Sequence, residues 1–414
     1  MKLLVISQYF WPEEFIVNDL VGKLVAQGHE VVVATGKPNY PDGDVFAGYR
    51  AGGIQRERYL DKVDVVRVPI WPRGGGGGFN LAMNYLSFMF SGLLFLPWLL
   101  RSYSFDAILV FAPSPITQAI PAVLLKWLKR AHLAIWVQDM WPESLEATGF
   151  VHNRGVLKGV GLLVRWIYAM SDTLLLQSRA FEEPVARYAA RGKLVYFPNA
   201  LDPDAPADNT QGLAPELLDA LGPGFSVVFA GNIGKAQAIE TLVEAAVLLQ
   251  GEADIRLVLV GSGSMLDWAR GQKALMKLDN LLLPGRFPAA LMPQLFDRAS
   301  ALLVSLKGGG ALAYTVPSKI QAYLAAGRPI VAALHGEGAK VVSNSGAGMV
   351  CEPENAEALA GCIRGLKALT ATQRHAMGCS GRAYFNEHFN MNRQVVRLVE
   401  ILQARRTGVR HDDE

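Results

Sequence analysis

Residues 307–329 read Lys307-Gly-Gly-Gly-Ala-Leu-Ala-Tyr-Thr-Val-Pro-Ser-Lys-Ile-Gln-Ala-Tyr-Leu-Ala-Ala-Gly-Arg-Pro329. They stand between two apolar runs, Ala301-Leu-Leu-Val-Ser-Leu306 and Ile330-Val-Ala-Ala-Leu334. Such short, continuous apolar runs are the mark of strands buried on both faces. The glycines open a loop, Pro317 suits a first helical turn, Gly327 a helix end, and Pro329 stops the helix. Strand, loop, helix and strand make one unit of a parallel α/β sheet. The same geometry suits an anion, because free backbone N–H groups converge at a helix N-terminus and the helix dipole favours negative charge. Lys319 and Gln321 add a cation and an amide just inside that helix.

The pattern extends in both directions. Residues 3–6, 31–34, 63–68, 107–111, 133–137, 173–176 and 194–197 are apolar runs of strand length, with helical periodicity between most of them. A first helix is expected over 16–27, ending at Gly28. A Pro/Asp/Asn-rich stretch begins at Pro198-Asn-Ala-Leu-Asp-Pro203, and residues 201–223 are read as a linker. The alternation then restarts at 226–230 and 256–260 and continues through 281–283, 301–306 and 330–334. The reading is α/β: two Rossmann-like, doubly wound domains facing each other across a cleft, over 1–200 and 224–390. A last helix within 391–414 returns to the first domain, and the charged tail from 406 is expected to fray.

At 414 residues two cores are expected. A net charge of +3 implies no polyanion, so no nucleic acid is expected. Cys351, Cys362 and Cys379 lack paired metal spacing and fit thiols of a reducing compartment. Met1-Lys-Leu-Leu-Val-Ile6 has no cleavage-site pattern and reads as a first strand. The first loop, Ser7-Gln-Tyr-Phe-Trp-Pro-Glu13, lacks G-x-G-x-x-G, and no G-x-x-x-x-G-K-[ST] occurs, which argues against a dehydrogenase and a P-loop enzyme. Gly231-Asn-Ile-Gly234 and Gly261-Ser-Gly-Ser264 follow strands, as ligand loops or as plain turns, and the glycines at 74–78 read as a hinge or lid. Asp139, past the strand at 133–137, is placed to orient an acceptor hydroxyl or take its proton. Glu13 and Asn18 are further acceptor-side candidates, and Glu143 is either acceptor-side or a helix cap.

In this order, several weak marks resemble a known family. They are Gly28-His29-Glu30-Val31, Asn39-Tyr-Pro-Asp-Gly43, Asp139-Met-Trp-Pro-Glu-Ser144, Pro198-Asn199, Gly231-Asn-Ile-Gly-Lys-Ala-Gln237, and Val316-Pro-Ser-Lys-Ile-Gln-Ala-Tyr323 with Gly327-Arg-Pro329. Together they resemble the GT-B fold of retaining glycosyltransferases, family 4. Trp-Pro-Glu-Ser with Pro-Ser-Lys-Ile-Gln is similar to enzymes of O-antigen and capsule assembly, of the N-acetyl-fucosaminyl transferase type. The resemblance implies transfer of a sugar, an N-acetylated and even 6-deoxy hexosamine, from a UDP-sugar to a polyprenyl-diphosphate-linked glycan. It places the base against Arg286 and Phe287. Gly231, Asn232, Gly234, Gly261, Gly309, Gly310, Thr315, Pro317, Ser318 and Gln321 complete the donor side. The family has two glutamates where this chain has Ala313 and Gln321, and an Arg/Lys pair near Asn232 and Gln237. Gln321 is expected to reach the ribose. At Ala313 either the sugar lacks the usual hydroxyl, as a 6-deoxy sugar would, or backbone amides of the loop at 308–311 replace the carboxylate. Lys235 and Lys319 are expected to hold the diphosphate. Neither cofactor nor metal is expected: no Asp-x-Asp lies inside the chain, and no histidine has metal-ligand spacing.

Residues 81–100 carry no charge and are long enough to span a bilayer, which takes ~20 apolar residues. A single crossing would put strands of one sheet on opposite sides of a membrane. The segment is therefore a core helix, an interfacial helix or a hairpin bent at Pro97. Basic and apolar stretches at 116–130 and 156–170 suit anionic headgroups. Peripheral or monotopic attachment to the cytoplasmic face of the bacterial inner membrane is expected. The alternatives are a nucleotide-sugar-binding module without transfer, a GT-B epimerase, or a phosphorylase.

Overall fold

The computed structural model describes residues 1–75, 77–147, 153–202 and 212–407. The chain forms two compact units, Met1–Ala200 with the segment from Met391, and Leu201–Asn390.

In the first unit the strands are β1 (Lys2–Ile6), β2 (Glu30–Thr35), β3 (Gln55–Tyr59), β4 (Val63–Arg67), β5 (Ala107–Ala112), β6 (His132–Val137), β7 (Thr173–Leu176) and β8 (Leu194–Tyr196). Their order is β3-β4-β2-β1-β5-β6-β7-β8. The central strands are apolar on both faces, which a sheet tolerates only when helices cover both sides. Helices α1 (Ile16–Ala26) and α15 (Met391–Thr407) cover one side, packing Val17, Leu20, Val395 and Leu398 against Val5, Leu109 and Trp136. The other side carries α2 (Gly78–Leu99), α3 (Ala119–Lys129), α4 (Glu143–Ala147), α5 (Arg154–Met170) and α6 (Glu182–Ala186). Strand β3 was not expected. It is antiparallel to β4, and its Gln-Arg-Glu-Arg-Tyr sequence has no apolar run because an edge strand buries little and is protected by charge.

The second sheet is parallel: β9 (Phe225–Ala230), β10 (Ile255–Val260), β11 (Leu281–Gly285), β12 (Ala301–Ser305), β13 (Ile330–Ala333) and β14 (Gly348–Cys351), in the order β11-β10-β9-β12-β13-β14. Renumbered within the unit this is 3-2-1-4-5-6, with a topological switch between β9 and β12, outside whose carboxyl ends ligands of this architecture bind. One face carries α7 (Pro215–Leu221), α10 (Met292–Arg298), α11 (Ser318–Ala326), α12 (Glu337–Asn344) and α14 (Ala371–His388). The other carries α8 (Ile239–Leu248), α9 (Leu266–Met276) and α13 (Ala356–Ala368). Strand β14 lies beyond the expected last strand; Gly348-Met-Val-Cys is too short a run to stand out.

Several expectations need correction. Within 201–223, Pro215–Leu221 is a helix whose Leu217, Ala220 and Leu221 enter the core of the second unit; part of that stretch, 203–211, lies outside the described residues. Of the glycine run, Gly78 already belongs to α2, and Gly74 makes a turn with φ +55°. Pro317 precedes the first residue of α11 instead of lying in its first turn. Arg406 of the expected frayed tail is helical and pairs with Asp106 at 2.5 Å, while 408–414 lie outside the described residues. Helix α2 is unbroken: Pro97 sits in its last turn, so there is no hairpin bend. Phe88, Gly92, Leu96 and Leu99 face the sheet and α3, where Gly92 is required because a Cβ there would lie 2.7 Å from Pro121. The outer face, Phe79, Leu86, Phe90, Leu94 and Trp98, is apolar and exposed.

Candidate active site

The loops after β9, β10 and β11 and the first turns of α11 enclose a cavity of about 390 Å³. Gly231 and Asn232 line it from β9, Gly261 and Ser262 from β10, and Arg286 and Phe287 from β11. Met292 and Phe296 of α10 and Lys319, Ala322 and Tyr323 of α11 close it. The loops need glycine for contact as well as for turning. A Cβ on Gly261 would lie 1.8 Å from the Gly231 carbonyl, and Gly231 itself has φ +134° with Lys319 Cε 2.6 Å from a would-be Cβ.

Lys319 dominates the chemistry. Its Nζ lies 3.6 Å from the centre of the Phe229 ring, is buried, and has no hydrogen-bond partner among the described residues. Burial lowers its pKa from the ordinary 10.5 to about 8. The ring face recovers part of the lost hydration. The residues lining the cavity include two cations, Arg286 and Lys319, and no carboxylate. Such a pocket is prepared for an anion. Tyr323 accepts from the Ala230 N–H at 3.1 Å, which fixes α11 against the end of β9.

The expected donor residues divide. Gly231, Asn232, Gly261, Arg286, Phe287 and Lys319 line the cavity. Lys235 is exposed in a 3-10 turn at 235–237, and buried Gly234 packs against Asn232. Gln321 is 4 % exposed and does not line the cavity. Gly309, Gly310, Thr315, Pro317 and Ser318 belong to the loop and helix start beyond it. Of the amides expected to replace a carboxylate at 313, that of Gly308 is already bound, donating to Glu354 Oε2 at 2.9 Å. His335, at the end of β13, pairs with Glu352 at 2.9 Å. The sequence reading missed Ala322, Tyr323, Met292 and Phe296. The first two were accessible from spacing, since positions three and four beyond Lys319 share its helix face.

In the first unit the crevice at the β1/β5 switch is filled by a buried polar network. Gln8 N–H donates to Gln118 at 2.9 Å, and Gln8 Nε2 to Asn84 Oδ1 at 2.6 Å. Asn84 donates to the Trp71 carbonyl and to Asn39, which in turn accepts from Arg73 N–H at 3.1 Å. Glu13 is 2 % exposed and accepts from the backbone of Phe10, Asn39 and Tyr40; burial raises its carboxyl to about 7 against those bonds. Asn18 joins the Trp11 N–H and the Glu13 carbonyl. Both residues hold the loops beside the end of β1. Asp139 lies past the end of β6, half-exposed, accepting from Ser144 Oγ. Glu143 is the first residue of α4, where its charge suits the dipole, and accepts from Tyr188 at 3.4 Å.

Comparison with known proteins follows the same division. Residues 14–200 match a glycosyl transferase 4-like domain and residues 224–368 a domain of the glycosyl transferases group 1. An Escherichia coli (strain K12) protein named as colanic acid biosynthesis glycosyl transferase WcaI is 26 % identical over 388 residues, 88 % of this chain and 91 % of that protein. A Pseudomonas aeruginosa protein named as glycosyltransferase WbjE is 25 % identical over 245 residues, 58 % of this chain and 61 % of that protein. Among solved structures, sucrose-phosphate synthase from Thermosynechococcus elongatus has a TM-score of 0.69 at 16 % identity, covering 97 % of this chain and 98 % of the other. Anabaena Alr3699/HepE in complex with UDP has a TM-score of 0.64 at 13 % identity, covering 98 % and 100 %. These structural likenesses are of fold.

Proposed function

The chain is a glycosyltransferase of the GT-B fold, with a 4-like domain ahead of a group 1 domain, and on that premise we propose that it transfers a sugar with retention from a UDP-sugar to a polyprenyl-diphosphate-linked glycan at a membrane surface. The observation that carries the donor half is Lys319, a buried cation with no hydrogen-bond partner among the described residues, in a cavity that has no acid in its lining. Transfer builds oxocarbenium character on the sugar and negative charge on the leaving diphosphate. Fixed positive potential lowers that barrier most where water is excluded. Lys319 supplies it from inside the cavity, and Lys235 from the exposed turn after β9. Arg286 and Phe287 frame the place of the base. Asp139 stands at the carboxyl end of β6, where an acceptor hydroxyl would meet a carboxylate able to orient it or take its proton. The named relatives, one of them in colanic acid biosynthesis, support a role in surface polysaccharide assembly.

The membrane half rests on α2. Its exposed residues Phe79, Leu86, Phe90, Leu94 and Trp98 form a stripe about 28 Å long at 1.5 Å per residue. An ordinary sheet-covering helix turns a polar face to water. Trp127 and Leu128 of α3 and Leu162 and Trp166 of α5 expose further apolar surface on the same side of the sheet. Arg101, Arg130, Lys158 and Arg165 are exposed nearby in sequence, as anionic headgroups require. This supports peripheral attachment at the cytoplasmic face. The deciding experiment offers UDP-sugars and a synthetic polyprenyl-diphosphate sugar to the purified protein and weighs the products by mass spectrometry. A product heavier by one sugar, with UDP released, is expected. Isomerised donor with no acceptor consumed would make the protein an epimerase.

A further inference from the structure

Arg73 is a cation of the first unit whose side chain meets aromatic rings in place of an acid. It sits in the loop between β4 and α2. Its guanidinium lies 5.1 Å from the ring centre of Tyr40 and 5.8 Å from that of Tyr9, and donates to the Tyr9 hydroxyl at 3.2 Å. Among the described residues no carboxylate pairs with it. A guanidinium has five N–H donors in a fixed fork suited to phosphate oxygens, so most of this one's capacity is open.

The placement is built rather than incidental. The backbone N–H of Arg73 donates to Asn39 Oδ1, and Asn39 is held by Asn84, Lys37 and Glu13 within the network at the β1/β5 switch. Gln8, Asn39, Asn84 and Gln118 are all completely buried. The rings are ordered too: Phe15 stacks on Tyr9 at 5.4 Å and packs against Tyr40 at 5.2 Å. Past the end of the neighbouring β5, Ser114 Oγ accepts from Trp141 Nε1 at 2.9 Å, which ties the segment after β6, with Asp139, to this end of the sheet. A positive fork thus stands at the carboxyl ends of the sheet, the end at which β6 delivers Asp139. On the other side of the same loop α2 begins, with Trp71 bonded to Asn80 and Ser87 and the apolar outer stripe starting at Phe79.

We propose that Arg73, clamped by Tyr9 and Tyr40, receives the diphosphate of the lipid-linked acceptor. The lipid would leave along the outer face of α2, and the acceptor sugar would extend toward Asp139. This rests on the reading of the acceptor as a polyprenyl diphosphate. An anionic lipid headgroup offers the same phosphate chemistry, and the two sources are separable.

The test measures binding of farnesyl diphosphate by calorimetry with UDP saturating, so that the donor cavity is filled. Wild type, Arg73→Gln and Arg73→Lys are compared, with farnesol and phosphatidylglycerol vesicles as further ligands and thermal melts to confirm folding. R73Q is expected to weaken farnesyl diphosphate at least tenfold, and R73K to fall between, since it keeps charge without the planar stack. Farnesol, vesicle and UDP binding should be unchanged. Equal affinity of wild type and R73Q for farnesyl diphosphate would overturn the proposal. So would an equal loss of vesicle binding in R73Q, which would assign Arg73 to headgroups. If R73Q fails to fold, Tyr40→Leu, which removes one ring from the clamp, is read the same way. Failure of the wild type to bind UDP would instead overturn the donor reading.

Discussion

Replacing Lys319 by methionine should make the ligand-free protein more stable and the donor bind less well. The ammonium is buried beside Phe229 with no hydrogen-bond partner among the described residues, and its pKa falls from 10.5 to about 8 through burial. At ~1.4 kcal/mol per tenfold, holding that charge below pH 8 costs roughly 3 kcal/mol. Methionine keeps the length of the stem without the charge, so K319M should gain about 1–3 kcal/mol at pH 7. The sign with pH follows from linkage. Between about pH 8 and 10.5 the unfolded chain still binds the proton while the folded one releases it, so wild-type stability rises relative to the variant and the advantage of K319M shrinks to nothing. UDP should behave oppositely. Loss of a charge-assisted bond of about 1.5–3 kcal/mol weakens binding roughly tenfold to hundredfold. A diphosphate beside Lys319 restores its proton, so binding near pH 8–9 should take up protons, visible as a dependence of calorimetric heat on buffer ionisation enthalpy. Urea melts at pH 7 and pH 10 with UDP titrations decide the matter. A K319M protein that is less stable at pH 7 and binds UDP as wild type does would refute the reasoning.

Three further outcomes follow from the geometry. Gly231→Ala forces a side chain to φ +134° and against Lys319 Cε at 2.6 Å; strain of about 1–3 kcal/mol should lower the melting temperature and weaken UDP in a fluorescence-displacement titration. Asp139→Asn should cut transfer roughly 10²–10⁴-fold with unchanged UDP affinity, and an active variant would remove Asp139 from the mechanism. Phe90→Glu with Leu94→Glu places charges on two residues that are 61 % and 70 % exposed; co-sedimentation with phosphatidylglycerol vesicles should fall sharply while the melting temperature holds.

The fold was legible because its strands are buried on both faces, which makes each a continuous apolar run. What escaped was what lacks that pressure. The Gln55–Tyr59 strand lies at an edge and carries charge, and the Pro215–Leu221 helix hides in a proline-rich stretch. The site was legible where a loop glycine or a charged residue marks it, as at Gly231, Gly261 and Lys319. It was not legible where packing decides. Gln321 follows Lys319 by two positions and so turns to another helix face, into the core, while Tyr323 at four positions shares the cavity. The loop contacts of Glu13 were equally hidden, because a carboxylate that binds backbone across 26 residues has no local signature.

The two switch-point crevices are prepared in opposite ways. In the first unit the polar groups largely bond one another: Asn39, Asn84 and Gln118 are buried and bonded, and Gln8 is held through its N–H and Nε2 while its Oε1 has no partner among the described residues, a network that rigidifies the loop carrying Arg73. In the second unit the Lys319 ammonium has no hydrogen-bond partner among the described residues, which costs stability and would favour an anion beside it. Seen this way, Ala313 and Gln321 are coherent with Lys319. Carboxylates at those positions would lower the positive potential of a cavity whose charged lining is Arg286 and Lys319 alone. On the proposed function, such a site would recognise a diphosphate by charge and the sugar by shape and by the loop that Glu354 holds at Gly308.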